Sequence, residues 1–241
     1  MKVHHLAALS AALFAVTTSS ASWAQDTTTT TTTTVGPTDH SRFVGDFAIG
    51  FLGVQSITIA TDGVGGTAQV NAPVIGGRYW LDEGMGIDAG IGFSFASASA
   101  TTEAGDTTTD TDNPQPLAFI LHGGVPFALA DSQYFVFELI PELNVGFAGN
   151  AINDGDLKLR GFRLDIGARA GAEVHFGFID IPQLSLQAGI GINLAYQSVS
   201  ASNEDADTSL SQSSTSFATT VGNDPWDIFT SSISALYYFD R

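Results

Sequence analysis

Residues 184–197 alternate, with Ala195 the one exception. Leu184, Leu186, Ala188, Ile190, Ile192, Leu194 and Tyr196 share one face, and Ser185, Gln187, Gly189, Gly191, Asn193 and Gln197 share the other. A period of two sustained this long is strand periodicity, and from Arg42 onward no segment carries a helical stripe over about eleven residues. Eight such runs can be traced, over residues 43–54, 70–81, 85–97, 117–129, 134–147, 159–176, 184–199 and 226–239. Most exceed the five or six residues usual for a soluble strand and reach the roughly 9–11 that cross a membrane at a tilt.

The connections alternate too. Links 82–84, 130–133 and 177–183 are short, whereas 55–69, 98–116, 149–158 and 201–225 are longer and polar. An up-and-down barrel with an even strand number brings every second connection to the same rim. The sequence therefore predicts an all-β fold, an eight-stranded antiparallel up-and-down transmembrane β-barrel with short turns at one end and long loops at the other. Bulges or strand ends are expected near Pro73 and Pro141, which cannot donate to a ladder. The link at 82–84 reads as a three-residue hairpin with Gly84 in the left-handed conformation. Leu81 then faces Met85, and counting back sets Arg78 opposite Asp88.

Alternation alone does not say which face points outward, because a soluble barrel with a greasy interior alternates as well. Composition decides. Asp and Glu outnumber Lys and Arg 25 to 8, the net charge is −17, and lysine occurs only at Lys2 and Lys158. A water-facing surface normally mixes both signs of charge, but here the polar faces are rich in glycine and poor in lysine. The apolar faces carry more aromatic bulk than an eight-stranded interior holds. Phe43, Tyr79, Phe127, Phe147, Phe176, Tyr196 and Phe239 lie near run ends, as interfacial girdles require. The apolar face is thus assigned to lipid. The same acidity argues against nucleic acid as a partner, since phosphate neutralisation needs a basic patch.

That orientation turns Asp46, Arg78, Asp88, Glu138, Glu142, Arg163, Asp165, Arg169 and Glu173 into the lumen. Buried charges of both signs must pair, since an unpaired one costs several kcal/mol. Beyond Arg78 with Asp88, a count across the longer link sets Glu142 beside Arg163 and Glu138 diagonal to Arg169. The expected result is a lumen plugged by salt bridges, with a small ion or solute pore as the alternative and a soluble lipocalin-like carrier as a third reading.

At the start, Lys2, an apolar run over residues 6–16 and the small residues around Trp23 form a secretory signal peptide, assigned to residues 1–24. Eight threonines from Thr27 to Thr34 lie in a stretch read as a disordered spacer over residues 25–41. The barrel domain is assigned to residues 42–241. Cysteine is absent, so no disulfide supports the fold.

The run ISALYYF, with Ile233, Ala235, Tyr237 and Phe239 on one face, is similar to the terminal strand of bacterial outer-membrane barrels. With its eight runs the mature chain resembles the OmpA/OmpX-type barrel superfamily. That resemblance implies an outer-membrane location, outer-membrane lipid and lipopolysaccharide as surroundings, and the barrel-assembly machinery as a partner. It would put the assembly signal on Tyr237 and Phe239, although Asp240 and Arg241 follow. A non-enzymatic structural or surface-interaction role is expected, with acidic loops outside and an extracellular partner the sequence does not name. No catalytic residue, metal or cofactor is expected: GxSxG, HExxH and phosphate-loop motifs are absent, and His122 and His175 fall on the inward face with no obvious serine and carboxylate arrangement in their own runs.

Overall fold

The computed structural model describes residues 36–61, 64–95, 99–104, 107–112, 116–152, 157–203, 207–219 and 233–240. The expected signal peptide and threonine tract lie outside these residues. In chain order the elements are α1 (Asp39–Arg42), β1 (Phe47–Thr61), β2 (Val64–Trp80), β3 (Gly86–Phe95), β4 (Ser99–Ala104), β5 (Thr107–Asp112), β6 (Leu117–Gly124), β7 (Phe127–Asp131), β8 (Phe135–Ile152), β9 (Leu157–Phe176), β10 (Ile181–Asn203), β11 (Thr208–Thr219) and β12 (Ile233–Tyr238).

Hydrogen-bonded neighbours run β1, β2, β3, β6, β8, β9, β10, β12 and back to β1, every pair antiparallel. The chain is therefore an eight-stranded up-and-down barrel. Closure is short, since β1 meets β12 only from Ala48 opposite Tyr238 to Phe51 opposite Ala235. The fourth run, expected to be continuous over 117–129, divides into β6 and β7 at Val125 and Pro126. Opposite the break is Pro141, whose missing N–H would have pointed at this neighbour. One bond survives there, from the Val125 N–H to the Pro141 carbonyl at 3.0 Å.

Near Pro73 the expected irregularity is a bulge on the partner strand, between Phe51 and Gly53. Gly53 has φ +119°, a conformation glycine adopts without Cβ strain. The extra residue changes the parity of β1. Ala48 and Leu52 point inward before it, and Ile57 and Ile59 point inward after it.

The 82–84 turn differs from expectation in its chemistry. Gly84 is not at positive φ; instead the Asp82 carboxylate accepts from the Gly84 and Met85 N–H groups at 2.7 and 2.8 Å. An aspartate that satisfies the turn through its side chain removes the need for a left-handed residue. Leu81 still donates to the Met85 carbonyl.

Three further expectations are corrected. Two stretches expected as loops contain strands: β4 pairs with β5, and β11 pairs with β10 along twelve residues. Their threonines are β-branched and favour extended backbone. The 25–41 spacer is too long at its end, because Asp39 and His40 are buried. Here Thr38 caps α1 by accepting from the Ser41 N–H at 3.2 Å, and Asp39 donates to the Gln133 carbonyl at 3.0 Å. Phe43, expected at the lipid interface, is buried inside the mouth at the short-turn end, stacked 4.8 Å from Tyr238 and 5.6 Å from His175.

Outside, Phe93, Phe119, Phe147 and Phe162 fall in one register row across β3, β6, β8 and β9. A second aromatic group, including Tyr134, Phe176, Phe178, Tyr237 and Phe239, marks the short-turn end. Between them the exposed residues of the eight ring strands are Ile, Leu, Ala and Phe with Pro141, whereas the lower half of β11, Ser214–Thr219 opposite Gln197–Ile192, sets exposed Ser and Thr at the same height. Beyond the phenylalanine row the polarity reverses. Ile57, Ile59, Val70, Leu159 and Val199 are buried inside, while Ser56 bonds Asn71 on the exposed side and Arg160 is exposed.

Candidate functional site

The lumen holds two groups of polar side chains at different heights. The lower one is built on Arg78. Its register partner is Asp88, and the guanidinium donates from Nε and Nη2 to the two Asp88 oxygens, both at 2.7 Å. The Nη1 group donates to Glu173 at 2.7 Å and to Glu138 at 3.2 Å, and Nη2 reaches the Gln187 amide oxygen at 3.3 Å. Arg78, Glu138 and Glu173 have no exposed surface.

The carboxylates have further donors. Gln187 donates its amide N–H to Glu138, and Ser185 donates its hydroxyl to Glu173. Tyr238 donates to Glu173 at 2.9 Å, and the Trp80 indole N–H donates to the Tyr238 oxygen at 3.1 Å. The Trp80 ring also lies 5.6 Å from the Arg78 guanidinium carbon. One cation thus faces three carboxylates, and the added donors on Glu138 and Glu173 supply the further hydrogen bonds that make buried charge tolerable. Replacing Trp80 with Phe removes one donor and keeps most of the packing. The expected loss is about 1 kcal/mol in urea titrations of the folded barrel in lipid vesicles.

The second group lies toward the long-loop end. Arg169 Nε donates to Glu142 at 2.8 Å. Arg163 holds Asp165, two residues along its own strand, at 2.7 and 2.9 Å, and donates to the Ser56 carbonyl at 3.1 Å. Asn193 adds a bond to Asp165 at 3.3 Å, and His122 Nδ1 lies 2.7 Å from the Asn144 amide oxygen. These residues border a cavity of about 260 Å³.

The expected Glu142–Arg163 pairing is not found. Glu142 faces Gly167, and Arg163 faces Gly146. The 149–158 link could not supply the register, because β8 and β9 continue into it as strands to Ile152 and Leu157. Glu138 faces Gly171 and so lies diagonal to Arg169, but its carboxylate is bonded to Arg78 and Gln187. Asp46 is buried beside the α1 turn, its backbone N–H donating to the Phe43 carbonyl at 3.0 Å. Tyr237 and Phe239 are exposed on the outside, with ring centres 5.5 Å apart. Sequence reading passed over Trp80 and Tyr238. Ser185 and Gln187 were visible as polar members of an inward face, but nothing in their own run pointed to Arg78.

An apolar exterior, an antiparallel ring of eight strands and a charged interior define the class, a β-barrel turned inside out relative to a soluble one over its aromatic-bounded zone. Among solved structures, the chain is similar to Ail, the attachment invasion locus protein of Yersinia pestis. The match is at 12% identity and a TM-score of 0.37, covering 80% of this chain and 97% of that one. No protein-family model and no curated protein matches the sequence.

Proposed function

We propose that the protein is a non-enzymatic, non-conducting barrel of a bacterial outer membrane, whose strands carry a surface-interaction platform beyond the lipid. The observation that carries this reading is the exterior. From Phe135 to Phe147 along β8 is twelve residue steps, which at about 3.3 Å each and a tilt near 40° spans roughly 30 Å, close to a bilayer core. The 23 residues of β10 would rise roughly 58 Å on the same basis, so that strand must project.

In this reading the short-turn mouth faces the periplasm and is stopped by α1 and Phe43, the Arg78 group plugs the lumen, and Tyr237 with Phe239 serves the assembly machinery. Arg160, exposed on β9 just past Phe162, lies where headgroup phosphates of lipopolysaccharide would be. The platform's most accessible part is the upper half of β11, Thr208–Gln212, which is exposed and pairs with Asn203–Val199 past the phenylalanine row.

The test has two parts. A compact gel band that shifts on boiling is expected from membrane fractions, whereas recovery in the soluble periplasm without detergent rejects the membrane placement. In planar bilayers the refolded protein is expected to give no stable current steps, and steady single-channel steps would replace the plugged barrel with a pore.

A further inference from the structure

Arginine is scarce in this chain, and each described copy but one meets a carboxylate. Arg42 approaches Asp39 at 3.7 Å, Arg78 meets Asp88 at 2.7 Å, Arg163 meets Asp165 at 2.7 Å, and Arg169 meets Glu142 at 2.8 Å. Arg160 is the exception. It is exposed, and among the described residues its side chain has no ion pair or hydrogen bond. Carboxylates outnumber Lys and Arg 25 to 8, so an arginine without one marks a strip of surface that lacks them.

The strip follows from register. Arg160 faces Gly149 on β8 and Ser200 on β10, and Ser200 faces Ser211 on β11. One row nearer the apolar belt are Phe147, Phe162, Ser198 and Ser213, and one row further away are Lys158, Ser202 and Ser209. Strand alternation puts all of these on the outward face of Phe162. No Asp or Glu occurs in 149–152, 157–162, 198–203 or 208–213. Along the chain the nearest to Arg160 and to Ser200 are Asp156 and Glu204, each four residues away. Lys158 has an interaction of its own, which leaves Arg160 as the cation available at this boundary.

We propose that Arg160, with the hydroxyls of Ser200 and Ser211, is the seat of a phosphorylated headgroup of a lipid in the leaflet at the long-loop end. A guanidinium presents paired N–H donors to phosphate oxygens, and serine adds a donor without adding charge. Neighbouring strands are about 4.8 Å apart, so a phosphate held by Arg160 is within reach of the Ser200 hydroxyl. The acyl chains then descend past Phe162 and Tyr196, whose ring centres are 6.2 Å apart. An acidic protein repels an anionic leaflet, and this carboxylate-free strip is where that repulsion is relieved. The seat rests on the membrane placement proposed above.

The probe is dihexanoyl phosphatidic acid, titrated into the refolded protein in zwitterionic detergent micelles. The Arg160 Nε–H resonance is expected to shift and saturate, whereas dihexanoyl phosphatidylcholine and inorganic phosphate at the same concentrations should move it far less. Arg160→Gln should weaken phosphatidic acid binding by about fivefold or more, the weight of one cation at a charged membrane surface, as followed by the Ser200 and Ser211 amide resonances. Gly149→Asp, which sets a carboxylate beside Arg160, should weaken it similarly. An unmoved Arg160 resonance, an equal response to phosphatidylcholine or to inorganic phosphate, or unchanged affinity in both variants would each overturn the seat. In phosphatidylcholine vesicles the parent and Arg160→Gln should give the same heat-modifiable band. That band together with failed phosphatidic acid binding rejects the seat alone, whereas absence of the band from the parent rejects the membrane placement and the seat with it.

Discussion

Arg78→Met is expected to prevent the chain from reaching its compact, heat-modifiable form, or to weaken it by at least about 3–5 kcal/mol. Methionine fills much of the same volume, so packing is not the main loss. What remains are Asp88, Glu138 and Glu173, three carboxylates converging on a point now empty of positive charge, with no solvent to reach them. Gln187, Ser185 and Tyr238 still donate hydrogen bonds to two of the three, but donors do not cancel mutual repulsion. The control is to add Asp88→Asn, Glu138→Gln and Glu173→Gln to Arg78→Met. A fully neutral layer contains no uncompensated ion and should recover much of the loss, because replacing a whole buried ionic set is far less harmful than removing one sign of it. The readout is the urea midpoint of the compact band in lipid vesicles. If the neutral quadruple variant is as unstable as Arg78→Met, unpaired charge is not the cause.

That layer illustrates what periodicity carries and what it does not. Arg78 and Asp88 flank a connection so short that their facing follows from counting back from Leu81 and Met85, whatever conformation the turn adopts. Asp82 organises that turn in place of a left-handed Gly84, and the register is the same. Across the 149–158 link the count fails, because an apparent loop of polar residues continues the β8–β9 ladder to Ile152 opposite Leu157. Polar composition reads as loop only when strands are assumed to be greasy. Once a barrel leaves lipid its outer face turns polar, so threonine- and serine-rich stretches such as β11 become legible as strand only after the exterior is known. Convergence across the lumen is less legible still. Arg78 meets Glu138 and Glu173 from strands 60 and 95 residues away, and nothing local to any of the three runs specifies the barrel's internal stagger.

Three arginine substitutions on one strand separate the membrane reading from a soluble one. Ile190 and Ser200 lie on the same outward face of β10, Ile190 within the aromatic-bounded belt and Ser200 beyond it, while Val199 points inward beside Ser200. Ile190→Arg is expected to cost about 2–4 kcal/mol of folding free energy in lipid vesicles, the penalty of a cation near the bilayer midplane. Ser200→Arg, on the same face but past the Phe147–Phe162 row, should fall within about 0.5 kcal/mol of the parent because water solvates it. Val199→Arg should again destabilise strongly, since it puts a charge without a partner into the apolar interior that replaces the ionic one at this height. The sensitive face thus switches from outside to inside along a single strand. A soluble carrier with a water-bathed exterior would tolerate Ile190→Arg as easily as Ser200→Arg, and equal tolerance of the two would refute the lipid boundary at the phenylalanine row. The same switch accounts for the chain's composition. Below the row the charges must be inside and paired, and above it the polar residues must be outside and solvated, so neither zone needs the lysine-rich surface of an ordinary soluble domain.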